Sequence, residues 1–250
     1  MAEMSVSAGW VNNKGVRLHY LETRAEGSGL VPMVFAPGFL GSAENYHREM
    51  QSLAGRRCVA VSLRGRGLSD APEAGYSFED HVSDIDTLVG QVGLQGFCLC
   101  AYSVGVPFAI GFASNHPKLL SGLVLSDYSA RYPKVKEQWV AEVLASREDV
   151  KPHVVQAIQR ESAEVLLWDN LEKITCPALI LRGGLPGSLL TTEGADRYQR
   201  HLPDSRVVVF DTSDHNLSQP DYERYIGTIK TFLEELDSSK KSALQPRDVF

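Results

Sequence analysis

Short apolar runs alternate with amphipathic stretches along most of this chain. Residues 10–24 (WVNNKGVRLHYLETR) predict a β-hairpin: Asn12-Asn13-Lys14-Gly15 supplies the turn, and Val16, Leu18 and Tyr20 alternate with Arg17 and His19. Val31–Ala36 is apolar without alternation, the pattern of a strand covered on both faces. A helix is expected from Ser42 to Leu53, capped by Ser42, and a second buried strand over Cys58–Leu63. Phe78–Val92 has helical spacing, with Val82, Ile85, Leu88 and Val89 on one face. Phe97–Ala101, Leu123–Leu125, Ala178–Leu181 and Val207–Phe210 read as further strands. Val106–Ala113, Glu193–Leu202 and Tyr222–Leu236 read as helices beside them. The last residues, Ser238–Phe250, are polar and predict a frayed end.

Strands that alternate with helices imply an α/β fold with a mostly parallel central sheet flanked by helices. The opening hairpin adds antiparallel strands at one edge. A chain of 250 residues suits one domain of this kind. Its core is expected to comprise residues 1–127 and 171–236. Residues 128–170 interrupt the pattern with two helical stretches, Val135–Ala145 and His153–Glu164, and read as a short helical lid. Residues 237–250 are left as a polar tail. In such sheets reactive groups gather at the carboxyl ends of the strands.

Composition narrows the partners. A net charge of −6 with scattered basic residues argues against nucleic acid, whose phosphate backbone needs a basic surface. No run approaches the roughly 18 apolar residues of a membrane span. The start, MAEMSVSAGW, lacks the basic and apolar regions of a signal peptide. Cys58, Cys98, Cys100 and Cys176 lie in or beside apolar runs without metal-ligand spacing, and read as reduced core residues of a cytoplasmic protein. The alternative for Cys98 and Cys100 is a redox pair. No metal or cofactor is called for. The expected partner is a small-molecule substrate, and the chain is expected to be a monomer or homodimer.

The most reactive-looking segment is Phe97-Cys98-Leu99-Cys100-Ala101-Tyr102-Ser103-Val104-Gly105. A strand stops, a serine sits in a tight turn and an apolar helix begins. So sharp a turn leaves space only for small residues two before and two after the serine, which Ala101 and Gly105 provide. The plainer reading is a serine that caps a helix. Farther on, Val207–Phe210 is followed by Asp211-Thr212-Ser213-Asp214-His215, which places a histidine just past the last strand. The other histidines (His19, His47, His81, His116, His153 and His201) lack this setting.

These features resemble the α/β-hydrolase superfamily, whose nucleophile elbow is G-x-S-x-G; alanine stands here for the first glycine. The resemblance runs from residue 16 to 236. It implies Ser103 as nucleophile and His215 as its base, in the family's chain order. Pro37-Gly38-Phe39-Leu40-Gly41-Ser42 resembles the family's H-G-x-x-G-S loop, with Pro37 for His. That loop implies an oxyanion hole from the N–H groups of Phe39 and Val104, with Gly38 letting substrate approach. Leu63-Arg64-Gly65-Arg66-Gly67-Leu68-Ser69-Asp70 resembles the D-x-R-G-x-G-x-S segment and is expected to brace the sheet edge; no Lys-Ser/Thr follows to make it a phosphate loop.

The third member of the triad is less regular. The family usually carries an Asp after the strand that is Ala178–Leu181 here. Arg182-Gly183-Gly184-Leu185-Pro186-Gly187-Ser188-Leu189-Leu190 has Ser188 in that place. Asp127, directly after Leu123–Leu125, is the expected substitute, as in certain haloalkane dehalogenases. Glu193, Asp214 or a Ser–His pair aided by Ser188 or water remain alternatives. Tyr102, Trp139 and Trp168 join Gly38 as expected substrate contacts. Val140, Val143, Leu144, Val155 and Ile158 either line an acyl pocket with them or pack the lid. The expected activity is cleavage of a small or medium carboxylic ester, lactone or thioester through an acyl-serine. The alternatives on this fold are a lyase, a C–C hydrolase, a cofactor-free oxygenase or a ligand receptor.

Overall fold

A computed structural model of the chain describes residues 5–25 and 27–244. The hairpin forms strands β1 (Val6–Asn13) and β2 (Val16–Thr23), with Lys14 and Gly15 turning at positive φ. Strand β3 (Met33–Ala36) leads through a 3₁₀ turn (Ala43–Tyr46) into helix α1 (His47–Ser52). Then follow β4 (Cys58–Val61), α2 (Phe78–Val92), β5 (Phe97–Tyr102), α3 (Gly105–Asn115) and β6 (Leu120–Ser126). Residues 128–170, the segment expected to form a lid, contain β7 (Arg131–Tyr132), α4 (Glu137–Ser146), α5 (Pro152–Glu161) and β8 (Val165–Leu166). A 3₁₀ turn (Leu171–Lys173), β9 (Ala178–Gly183), α6 (Thr192–His201), β10 (Ser205–Phe210) and α7 (Tyr222–Leu244) complete it.

Eight strands form one sheet in the order β1-β2-β4-β3-β5-β6-β9-β10. The pairs β1–β2 and β2–β4 are antiparallel, and all others are parallel. Alternation within each central strand divides the core. Val34, Ala36, Leu99, Ala101 and Ile180 pack with α2, α3 and α6, whereas Met33, Phe35, Cys98, Cys100 and Leu181 pack with α1 and α7. Both faces are therefore covered, which is why these runs read as apolar without a polar stripe. All four cysteines are free and buried in these layers. No helix among the described residues is long and apolar enough to cross a membrane.

Helix α2 has the predicted bounds for a local reason. Ser77 and Asp80 form a reciprocal capping box at its start, and Gly93 ends it at φ +67°. The expected frayed end is corrected. Helix α7 continues past Leu236 through Leu244; residues 245–250 lie outside the described ones. The extension is anchored by Asp237, which is buried against Arg56 at 2.6 and 3.1 Å and accepts the Val31 N–H at 2.7 Å. Removing either charge would strand the other, at about 3–5 kcal/mol. Residues 128–170 also contain two short strands besides the two helices. Arg131 pairs with Leu166 and Tyr132 with Val165, so the two ends of this segment are pinned together by a small antiparallel ladder.

Candidate active site

Ser103 follows β5 with φ +54°, a left-handed backbone that costs a non-glycine residue about 1–2 kcal/mol. The turn is held by bonds on both sides of it. Ser103 N–H donates to the Ser126 carbonyl at 3.0 Å, and the Ser103 carbonyl accepts from Val106 N–H at 2.8 Å. A Cβ on Gly105 would come within 2.5 Å of the Pro37 carbonyl oxygen, so the residue after Val104 must be glycine for the β3 loop to lie this close. A Cβ on Gly38 would meet the Ser103 Cβ at 3.0 Å, which places the Gly38–Phe39 segment beside the serine. The N–H groups of Phe39 and Val104 have no hydrogen-bond partner among the described residues.

The structure brings His215 to Ser103, with Nε2 3.0 Å from Oγ. The strands that lead to them are not neighbours, since β6 and β9 lie between β5 and β10. The histidine loop crosses that gap because Gly183 and Gly184 carry no side chains. A Cβ on Gly184 would approach the Asp211 Cα to 2.7 Å, and one on Gly183 would collide with the Asp214 carbonyl. The imidazole stacks on the Tyr102 ring at 4.8 Å and 25°, and the Tyr102 hydroxyl donates to the His215 carbonyl at 3.2 Å.

Asp127 stands behind the ring, with Oδ2 2.8 Å from His215 Nδ1. Its carboxylate is fully buried and accepts three more hydrogen bonds: Gly183 N–H (3.1 Å) and Ser188 Oγ–H (2.5 Å) to Oδ1, and Leu189 N–H (2.9 Å) to Oδ2. Burial alone would raise its pKa. The His215, Ser188, Leu189 and Gly183 donors outweigh that and hold it below the usual carboxylate value. A charged Asp127 facing Nδ1–H leaves Nε2 free to accept a proton from Ser103. Glu193 sits instead in the first turn of α6, and Asp214 accepts from Asn216 N–H. Neither hydrogen-bonds the imidazole, whose partners are Asp127 and Ser103.

Ser103 and His215 open into a cavity of about 880 Å³. Gly38, Phe39, Tyr102, Val104 and Trp139 line it, as the sequence led us to expect. Trp168 does not. Its indole packs against Tyr198 (5.2 Å) and His201 (6.1 Å) under the Arg197 guanidinium (4.2 Å), so it cements α6 to the body of the fold. Val140, Val143 and Leu144 are likewise absent from the cavity wall, and Ile158 packs in the small core beneath the lid. Residues without a sequence signal that do line it include Tyr46, Glu49, Tyr128 and Tyr225. Outside the wall, Arg66 supports the Phe39 loop, since its Nε donates to the Phe39 carbonyl at 2.7 Å. Arg64 is held by Asp84 at 2.6–3.1 Å, so this glycine-rich segment is anchored to α2 beside the Phe39 loop.

A bent serine after β5, a histidine past the last strand and a covered parallel sheet define a hydrolase architecture of the α/β class. The family profile described as alpha/beta hydrolase fold matches residues 31–157, and the chain belongs to that family. Curated relatives span most of it. The chain is 24% identical to the 2-(acetamidomethylene)succinate hydrolase of Mesorhizobium japonicum, over 86% of this chain and 91% of that protein. It is 25% identical to the N-formylmaleamate deformylase of Pseudomonas putida, over 92% and 97%. Among solved structures, the esterase RhEst1 from Rhodococcus superposes with a TM-score of 0.78 at 20% identity, covering 93% of this chain and all of that one.

Proposed function

We propose that this protein is a serine hydrolase that cleaves a carboxylic ester, lactone or thioester of a small or medium substrate. The observation that carries the reading is the continuous chain Ser103 Oγ–His215 Nε2–Asp127, at 3.0 and 2.8 Å, opening into the cavity. Ser103 Oγ attacks the acyl carbon as His215 Nε2 takes its proton. The oxyanion is met by the N–H groups of Phe39 and Val104, each a donor of the kind that contributes about 3 kcal/mol. The tetrahedral adduct collapses as the leaving oxygen or sulfur takes the proton from Nε2, which leaves an acyl-Ser103. Water then attacks that ester with His215 again as base, and the acid departs. Asp127 keeps Nδ1 protonated and stabilises the imidazolium.

Amide cleavage is the second reading, because two relatives that cover most of the chain are named as a deformylase and an acetamidomethylene hydrolase. It uses the same steps with an amine leaving. Initial rates on p-nitrophenyl esters, acyl thioesters and N-formyl or N-acetyl anilides separate the two. Ester and thioester turnover that falls about 10⁶-fold in Ser103→Ala supports the proposal. Turnover of the anilides alone would replace it by the amide reading. Undiminished turnover in Ser103→Ala would exclude both.

A further inference from the structure

The cavity wall carries charge of both signs, and most of its cations are already engaged. Lys134 Nζ donates to the carbonyls of Gln159 (3.3 Å) and Ser162 (2.7 Å). Arg147 grips Asp149 at 2.7 and 2.5 Å. Lys136 is exposed at the start of α4. Glu49, on α1, is in the opposite condition. It lines the same cavity as Ser103, and its Oε2 is sealed from solvent with no hydrogen-bond partner among the described residues.

Its sequence neighbour does not neutralise it. The Arg48 guanidinium lies 3.4 Å over the Tyr222 ring, in a cation–π contact. Tyr46 and Tyr225 line the same cavity as Glu49, with Tyr46 directly before α1 and Glu49 on that helix's first turn, and burial, with charges that include Glu49, raises both phenols. Burial, offset only in part by the Glu49 amide and the Arg48 charge, also raises the Glu49 carboxyl, as expected of a carboxylate that lacks its counter-charge. A carboxylate that no side chain pairs with, on a cavity wall that also carries two tyrosines, attracts an ammonium group. Its N–H bonds satisfy the carboxylate, and its charge interacts with the rings.

We propose that Glu49, Tyr46 and Tyr225 form a subsite for a primary ammonium group, so that the substrate carries a protonated amine as well as the bond attacked by Ser103. The second half of that statement rests on the serine hydrolase reading; ammonium binding does not. Calorimetric titration of the wild-type protein with n-butylammonium, n-butanol and butanoate tests it. n-Butylammonium is expected to bind at least about tenfold more tightly than n-butanol, and Glu49→Gln is expected to remove that preference.

Equal binding of the two, no binding of the ammonium, tighter binding of butanoate, or a preference that survives Glu49→Gln would each overturn the subsite. The wild-type comparison decides the matter even where Glu49→Gln fails to fold. An inactive protein with intact ammonium preference would overturn the hydrolase reading alone. An active one without that preference would overturn the subsite alone.

Discussion

The loops after β6 and after β9 meet beside His215, and they divide one task unequally. Asp127 comes directly off β6, with its N–H bonded to the Leu181 carbonyl of β9 at 2.7 Å and its backbone at φ +52°. It is fully buried. The loop after β9 is longer and exposes Leu185 and Leu189, yet together with Gly183, the last residue of β9, it supplies three of the four donors to that carboxylate. The buried position therefore carries the charge, and the more exposed one carries groups that satisfy it. A buried anion is tolerated only where donors are already aimed at it, so the two positions are one unit although 61 residues separate Asp127 from Ser188. Ser188, which stands where the family pattern would place the acid, hydrogen-bonds Asp127 instead.

Breaking this arrangement at its charged end is expected to have the largest effect. Asp127→Asn preserves shape but places an amide against Nδ1, and should lower kcat by about 10⁴-fold in steady-state ester hydrolysis. The exchange Asp127→Ser with Ser188→Asp sharpens the comparison. It returns a carboxylate to the β9 loop, and the double variant should recover about 10²-fold over Asp127→Ser alone, short of wild type because the Gly183 and Leu189 N–H groups are aimed at position 127. Ser188→Ala removes one donor of four and leaves the charge, so kcat should fall only about tenfold.

The smallest effect is on acid stability. Because the native pKa of Asp127 lies below its ordinary value, the group adds stability that is fully present above that ordinary value. The contribution is lost as pH falls through it toward the native pKa. Urea midpoints measured from about pH 6 down to about pH 3 should fall more steeply for wild type than for Asp127→Asn.

Much of this was legible in the sequence wherever the cause is local. The turn at Ser103 announces itself by a strand, two small residues and a helix within nine positions, and α2 by its periodic apolar face. Asp127 was an expectation drawn from its place after a strand, and the structure sets it against His215 Nδ1. What stayed hidden depends on partners far along the chain. Asp237 resembles one more polar tail residue until Arg56, 181 positions earlier, is brought to it. The two-residue strands β7 and β8 are too short to show a period, and exist only because the lid's ends meet. Trp168 and Trp139 both fall in the lid sequence, but only the fold decides that one packs on α6 and the other faces the cavity. Glu49 lies in HREMQS, where nothing distinguishes a cavity carboxylate from a solvated one.

The account depends most on Ser103 being a nucleophile. Intact-mass and peptide mapping after exposure to a fluorophosphonate tests this without knowledge of the substrate. One adduct per chain, located on Ser103 and absent from folded Ser103→Ala, is the expected result. Wild-type protein that stays unlabelled, or a Ser103→Ala variant that labels equally well, would contradict it.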